Sequence, residues 1–115
     1  MYQGRKTLTL FLPESVAAWR PLANTYRTRD GWLLKFDLAG VRPDDVTVSV
    51  RGRRVAISGF RKDTAVEEGA SYYSMEISYS RFERTIEMPC SLDGARISIE
   101  AKDGILLVRM VVEGE

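Results

Sequence analysis

This chain of 115 residues contains no histidine. That removes the commonest general base and the commonest metal ligand. Its serines, its tyrosines and Cys90 therefore lack the partner that activates a nucleophile in the common triads. The nearest approach to a carboxylate site is made by two adjacent pairs, Asp44-Asp45 and Glu67-Glu68. Neighbours along a strand point to opposite faces, so neither pair resembles a dyad or a metal cradle. Cys90 follows Pro89 in a predicted turn and reads as a small half-buried residue or as a point of cross-linking between subunits. Arg51, Arg53, Arg54, Arg61 and Lys62 form a local basic patch. Nucleic-acid binding would ask for stacking platforms or a groove beside it, and the simpler reading is a solvated hairpin tip. Tyr72, Tyr73 and Tyr79 can cage a ligand or line a subunit contact, where amphipathic rings are useful. The chemistry expected is thus contact rather than catalysis: no enzyme, no cofactor and no metal.

Composition narrows the class further. The chain is 44% hydrophobic and 29% charged, which suits one globular domain. Lys and Arg total 17 against 16 for Asp and Glu, a net charge of +1, so nothing global points to nucleic acid or an anionic membrane as partner. A single cysteine excludes an internal disulfide framework and fits a reducing compartment. No apolar run approaches the ~20 residues of a membrane span. The run after Arg5-Lys6 stops at Pro13 without a convincing cleavage site. A cytoplasmic location is expected.

The elements that must position these residues are strands. The stretch 95–110 organises the rest. Ile97, Ile99 and Ala101 alternate with Arg96, Ser98 and Glu100, the period of a half-buried strand. Asp103-Gly104 is a strong hairpin signal, and 105–110 is apolar on both faces apart from Arg109. Further strands are predicted at 24–29 and 32–38, joined by a turn at Asp30-Gly31, then at 46–51, 54–60 and 81–88. Pro43, followed by Asp44 and Asp45, suits a short helical turn. The loop 63–70 leads to a candidate short strand at 71–78. Ahead of the domain, Leu8, Leu10 and Leu12 alternate with Thr7, Thr9 and Phe11, and 15–19 can make one helical turn. This arm, with Trp19 at its end, either packs on its own domain as an edge strand or is an apolar arm that binds unfolded chains or another subunit. Six to eight short strands without a long helix argue an all-β antiparallel sandwich.

One residue breaks the alternation. In 81–88 the inward phase is Phe82, Arg84, Ile86 and Met88. A buried guanidinium without a partner costs several kcal/mol, so Arg84 must meet an acid or lie at an interface. The alternative is an edge position from which it reaches water. The interface is favoured because Tyr72, Tyr73, Met75 and Ile77 also need a partner surface.

These residues resemble the α-crystallin domain of the small heat-shock protein family. The matching stretches are Asp37-Leu38-Ala39-Gly40-Val41 with Pro43-Asp44-Asp45-Val46, then Val55-Ala56-Ile57-Ser58-Gly59. They continue with Phe82-Glu83-Arg84-Thr85-Ile86-Glu87-Met88-Pro89 and Ala101-Lys102-Asp103-Gly104-Ile105-Leu106. Their order and spacing together are specific and cover about residues 22–111. The resemblance implies an immunoglobulin-like sandwich and an ATP-independent holdase that captures unfolding client proteins. It also implies a homodimer by strand exchange, in which Tyr72, Tyr73, Met75 and Ile77 add to a partner's strand around Tyr26. Arg84 matches the family's arginine near the dimer contact. A groove lined by Val46, Val48, Val50, Ile97 and Ile99 resembles the slot that receives a carboxy-terminal tail or a client. The amino arm, through Leu8, Leu10, Phe11, Leu12 and Trp19, is the other expected client or oligomer contact.

The expected layout is an amino-terminal arm over 1–23, the sandwich over 24–111 and a tail at 112–115 without the family's Ile-x-Ile motif. Ala39 stands where the family usually has proline, and Ser80 where it usually has glycine. Without the tail motif a dimer or small oligomer is expected, or else a truncated sequence. The competing reading is a co-chaperone interaction module of the CS type, which shares the sandwich but generally lacks the exchanged strand.

Overall fold

The structure, a computed structural model, describes residues 18–63 and 67–112. Period-two alternation becomes seven strands: β1 (Ala23–Arg27), β2 (Gly31–Asp37), β3 (Val46–Arg51), β4 (Arg54–Phe60), β5 (Arg81–Glu87), β6 (Arg96–Lys102) and β7 (Ile105–Val111). A single 3-10 turn, Pro43–Asp45, precedes β3. Its proline stands at the start, where a fixed φ is already helical and a missing N–H costs nothing.

Two antiparallel sheets result, ordered β1-β2-β7-β6 and β3-β4-β5. The sandwich expected from the sequence is therefore observed. The hairpin 95–110 supplies β6 and β7, and β7 lies inside the larger sheet between β2 and β6. That position explains its double apolarity. Leu106, Val108 and Met110 point inward and are buried, while Ile105, Leu107 and Val111 are half-buried on the outer face. From the facing sheet Val55, Ile57 and Phe82 complete one cluster with Leu34 and Phe36. Each such side chain contributes about 1.5–3 kcal/mol on burial.

The turns follow their residues. Asp103 and Gly104 both have positive φ, 53° and 83°, as a two-residue type I′ hairpin requires. The tip docks where Leu38 N donates to the Gly104 carbonyl at 2.9 Å.

Three local expectations are corrected. Gly31 is not a turn residue but the first of β2, and the turn closes through Thr28 N donating to the Gly31 carbonyl at 2.9 Å. Glycine is needed at 31 because a side chain there would run into the backbone carbonyl of Met110 on β7. The strand foreseen at 24–29 ends at Arg27. No strand forms at 71–78, since among the described residues no strand lies alongside to satisfy its backbone groups.

Candidate partner-binding surfaces

Among the described residues β1 hydrogen-bonds to β2 on one side only. Its other side offers an open row of N–H and C=O groups, a template for another strand. All its residues except Ala23 are exposed. Tyr26 is held over the outer face: Asn24 Nδ2 donates to its hydroxyl at 3.1 Å, and the Lys35 ammonium lies 4.9 Å from its ring.

The segment between β4 and β5 projects as a finger. Every residue from 71 to 79 is exposed, and Tyr73 is fully so. Tyr72, Met75 and Ile77 are 74%, 53% and 60% exposed. Apolar side chains gain nothing from such exposure.

The finger is anchored at its root by Arg61. Its Nε donates to the Ser78 carbonyl at 2.9 Å and its Nη1 to the Ala39 carbonyl at 3.0 Å. Its guanidinium lies 4.1 Å from the Trp19 ring and 5.7 Å from that of Tyr79. One cation thus joins the end of the arm, the loop after β2 and the returning finger. Sequence reading missed this role and grouped Arg61 with the basic patch. The patch itself is divided. Arg53 and Arg54 pair with Glu87 beside the β3–β4 turn, whereas Arg61 and Lys62 follow the far end of β4, where Lys62 meets Asp45 at 3.6 Å.

Trp19 packs against its own domain. Its N–H donates to the Arg81 carbonyl at 3.2 Å, its carbonyl accepts from Glu83 N at 3.1 Å, and its indole N–H donates to the Ser80 carbonyl at 3.3 Å. The ring tilts against Phe82 with centroids 5.4 Å apart. The described end of the arm, at Trp19, therefore lies along part of the β5 edge, and Trp19 is in no helical turn. Leu8, Leu10, Phe11 and Leu12 lie outside the described residues. Between arm and finger opens a cleft of about 610 Å³ lined by Trp19, Leu22, Ile77 and Tyr79 among others. Leu22, 75% exposed in that cleft, was also missed. An apolar residue directly before a polar strand was the available signal.

Arg84 points inward, as its phase requires, but meets no acid among the described residues. Its Nη1 donates to the Pro21 carbonyl at 2.8 Å, and its Nε is buried without a partner. The acid expected from burial is replaced within the chain by a carbonyl at the entry to β1.

Val46, Val48, Val50 and Ile97 are half-buried against the core, while Ile99 is 50% exposed. They belong to β3 and β6, each an edge strand of its sheet. At one end of this seam a pocket of about 210 Å³ is lined by Leu38, Val41, Pro43, Val46 and residues 101–106. Among the described residues no cluster of three or more metal-ligating side chains exists, and no helix is long and apolar enough to cross a membrane.

The described residues thus form an all-β, two-sheet immunoglobulin-like sandwich with an exposed finger between β4 and β5. The model of the Hsp20/alpha crystallin family matches residues 24–114. The chain belongs to that family, the small heat-shock proteins. It is 31% identical over 93 residues to spore protein SP21 of Stigmatella aurantiaca, covering 81% of this chain and 55% of that protein. It is 37% identical over 101 residues to a 19.0 kDa class II heat shock protein of Oryza sativa subsp. japonica, covering 77% and 58%. The chain thus spans little more than half the length of these curated relatives. Among solved structures, heat shock protein 16.0 from Schizosaccharomyces pombe superposes with a TM-score of 0.71 at 27% identity over 81% of this chain and 86% of that one. HspA from Xanthomonas axonopodis gives 0.67 at 26% identity over 83% and 95%.

Proposed function

We propose that this protein is an ATP-independent holdase: it binds unfolding clients through apolar surface, prevents their aggregation, and works as a dimer or higher oligomer in the cytoplasm. The observation that carries the reading is the pairing of an open β1 edge with an exposed finger bearing Tyr72, Tyr73, Met75 and Ile77 in the same chain. In the dimer the finger of each subunit, through Tyr72, Tyr73, Met75 and Ile77, adds as a strand to its partner's β1 beside Tyr26. This seals an edge that would otherwise recruit aggregating chains. Arg84 acts on that contact from behind, by fixing the point at which β1 begins.

Client capture uses the seam of Val46, Val48, Val50, Ile97 and Ile99, together with the apolar residues of the arm. Burial there supplies about 25 cal/mol per Å², and weak contacts multiply across an oligomer. Such binding depends on surface area rather than sequence and asks for no cofactor. The finger favours this reading over a CS-type module.

The test is light scattering of a heat-labile client at equimolar chaperone without ATP. Suppressed aggregation supports the holdase. Scattering that rises as fast as with the client alone overturns it.

A further inference from the structure

Charge is segregated between the finger and the edge it is proposed to meet. Residues 63–80 hold four acids, Asp63, Glu67, Glu68 and Glu76, and no base. Residues 20–35 hold four bases, Arg20, Arg27, Arg29 and Lys35, and one acid, Asp30. In a chain of net charge +1, neither segment simply reflects overall composition.

The two sets are also unsatisfied. The ion pairs of the described residues lie elsewhere: Arg53 and Arg54 with Glu87, Lys62 with Asp45, and Arg81 with Glu83. Among the described residues, Glu67, Glu68 and Glu76 are exposed and meet no opposite charge, nor do Arg20 and Arg29. Arg27 and Lys35 are held over Trp32 and Tyr26 at 4.9 Å, which leaves both positive charges on the β1–β2 hairpin. Each set repels itself and complements the other.

We infer that the acidic finger selects the basic β1–β2 edge of a second copy of this chain by charge. Electrostatics thereby decides which partner is accepted and how fast subunits exchange. The inference rests on the strand-exchange reading and adds its selectivity. Main-chain hydrogen bonds along an edge are blind to sequence and admit any strand. Like charges brought together exclude wrong partners, while opposite charges speed the right encounter. An acidic strand docking here is attracted, and a basic one is turned away. Since most of these charges are exposed and Lys35 and Asp63 are half-exposed, salt must weaken the selection as the screening length falls.

The experiment uses the full chain in three forms, with folding checked by circular dichroism: unaltered, E67K/E68K/E76K, and R20E/R29E/K35E. Self-association is measured by sedimentation at about 50 mM and about 500 mM NaCl, a range over which screening becomes severalfold shorter. The unaltered dimer is expected to weaken about tenfold at the higher salt. Each reversed chain should self-associate about tenfold more weakly than the unaltered one at low salt. An equimolar mixture of the two should recover near-native affinity, because both seams of that heterodimer join opposite charges. Reversed chains that dimerise as tightly as the original, or a mixture no tighter than its parts, overturn the inference. If a reversed chain fails to fold, the salt titration of the unaltered chain decides, and a constant affinity is the negative result. A fourth chain, with 67–79 replaced by a short Gly-Ser loop, separates the two levels. A dimer that survives this deletion sinks strand exchange and the charge selection with it. A dimer lost on deletion yet indifferent to reversal removes the charge selection alone.

Discussion

Arg84 and Pro21, 63 positions apart, are joined by a hydrogen bond of 2.8 Å from the Arg84 Nη1 to the Pro21 carbonyl. Pro21 is fully buried, and two residues later β1 begins. The bond therefore ties β5, in one sheet, to the entry of the edge strand of the other.

Removing this tie should be costly. Arg84→Ala is expected to lower stability by about 1.5–3 kcal/mol, the range for a hydrogen bond with a charged partner. Arg84→Met should cost less, because it fills the volume and removes the buried, unpartnered Nε. Urea denaturation of both variants checks the order. Equal losses, or a loss below about 0.5 kcal/mol for the alanine variant, contradict the role.

That contact also marks how far sequence reading reached. Alternation gave the strands and the sandwich because a half-buried strand writes its two faces into successive residues. Asp103-Gly104 named its own turn for the same local reason. Arg84 was legible as an inward charge, yet its partner was not, since no local pattern links it to a carbonyl near the start of the chain. Arg61 was misplaced for the same cause: its contacts at Trp19, Ala39 and Ser78 come from three separate segments. At 71–78 the residue types suit a strand, but a strand also needs a neighbour, and the described residues supply none.

Gly31 offers a test of close packing between β2 and β7. A methyl group at this position meets the Met110 backbone, which cannot swing aside as a side chain can. Gly31→Ala should destabilise by about 1–3 kcal/mol, the usual cost of overpacking. Thermal unfolding reads the effect, and an unchanged midpoint would show that β2 and β7 can separate freely.

Arg61→Ala should free the finger's root without unfolding the sandwich, because its contacts are with loops and arm rather than with the core. Hydrogen exchange at residues 78–80 and at Trp19 is expected to rise about tenfold or more while β2 and β7 stay protected. Unaltered exchange at both places would show that the root is held by something else.

The β3–β6 seam can be probed at Ile99, which is half exposed. Ile99→Glu should change stability by less than about 0.5 kcal/mol, as an exposed position does. It should nevertheless weaken the binding of a labelled Ile-x-Ile peptide about tenfold or more, through a charge placed against apolar side chains. Fluorescence anisotropy measures this. Equal affinity for both chains would place the peptide elsewhere.

The most direct measurement is an isotope-filtered NMR experiment on a dimer of one labelled and one unlabelled subunit. Strand exchange predicts contacts between the labelled finger, residues 72–77, and the unlabelled β1 strand around Tyr26. Finger contacts confined to the labelled chain would contradict it.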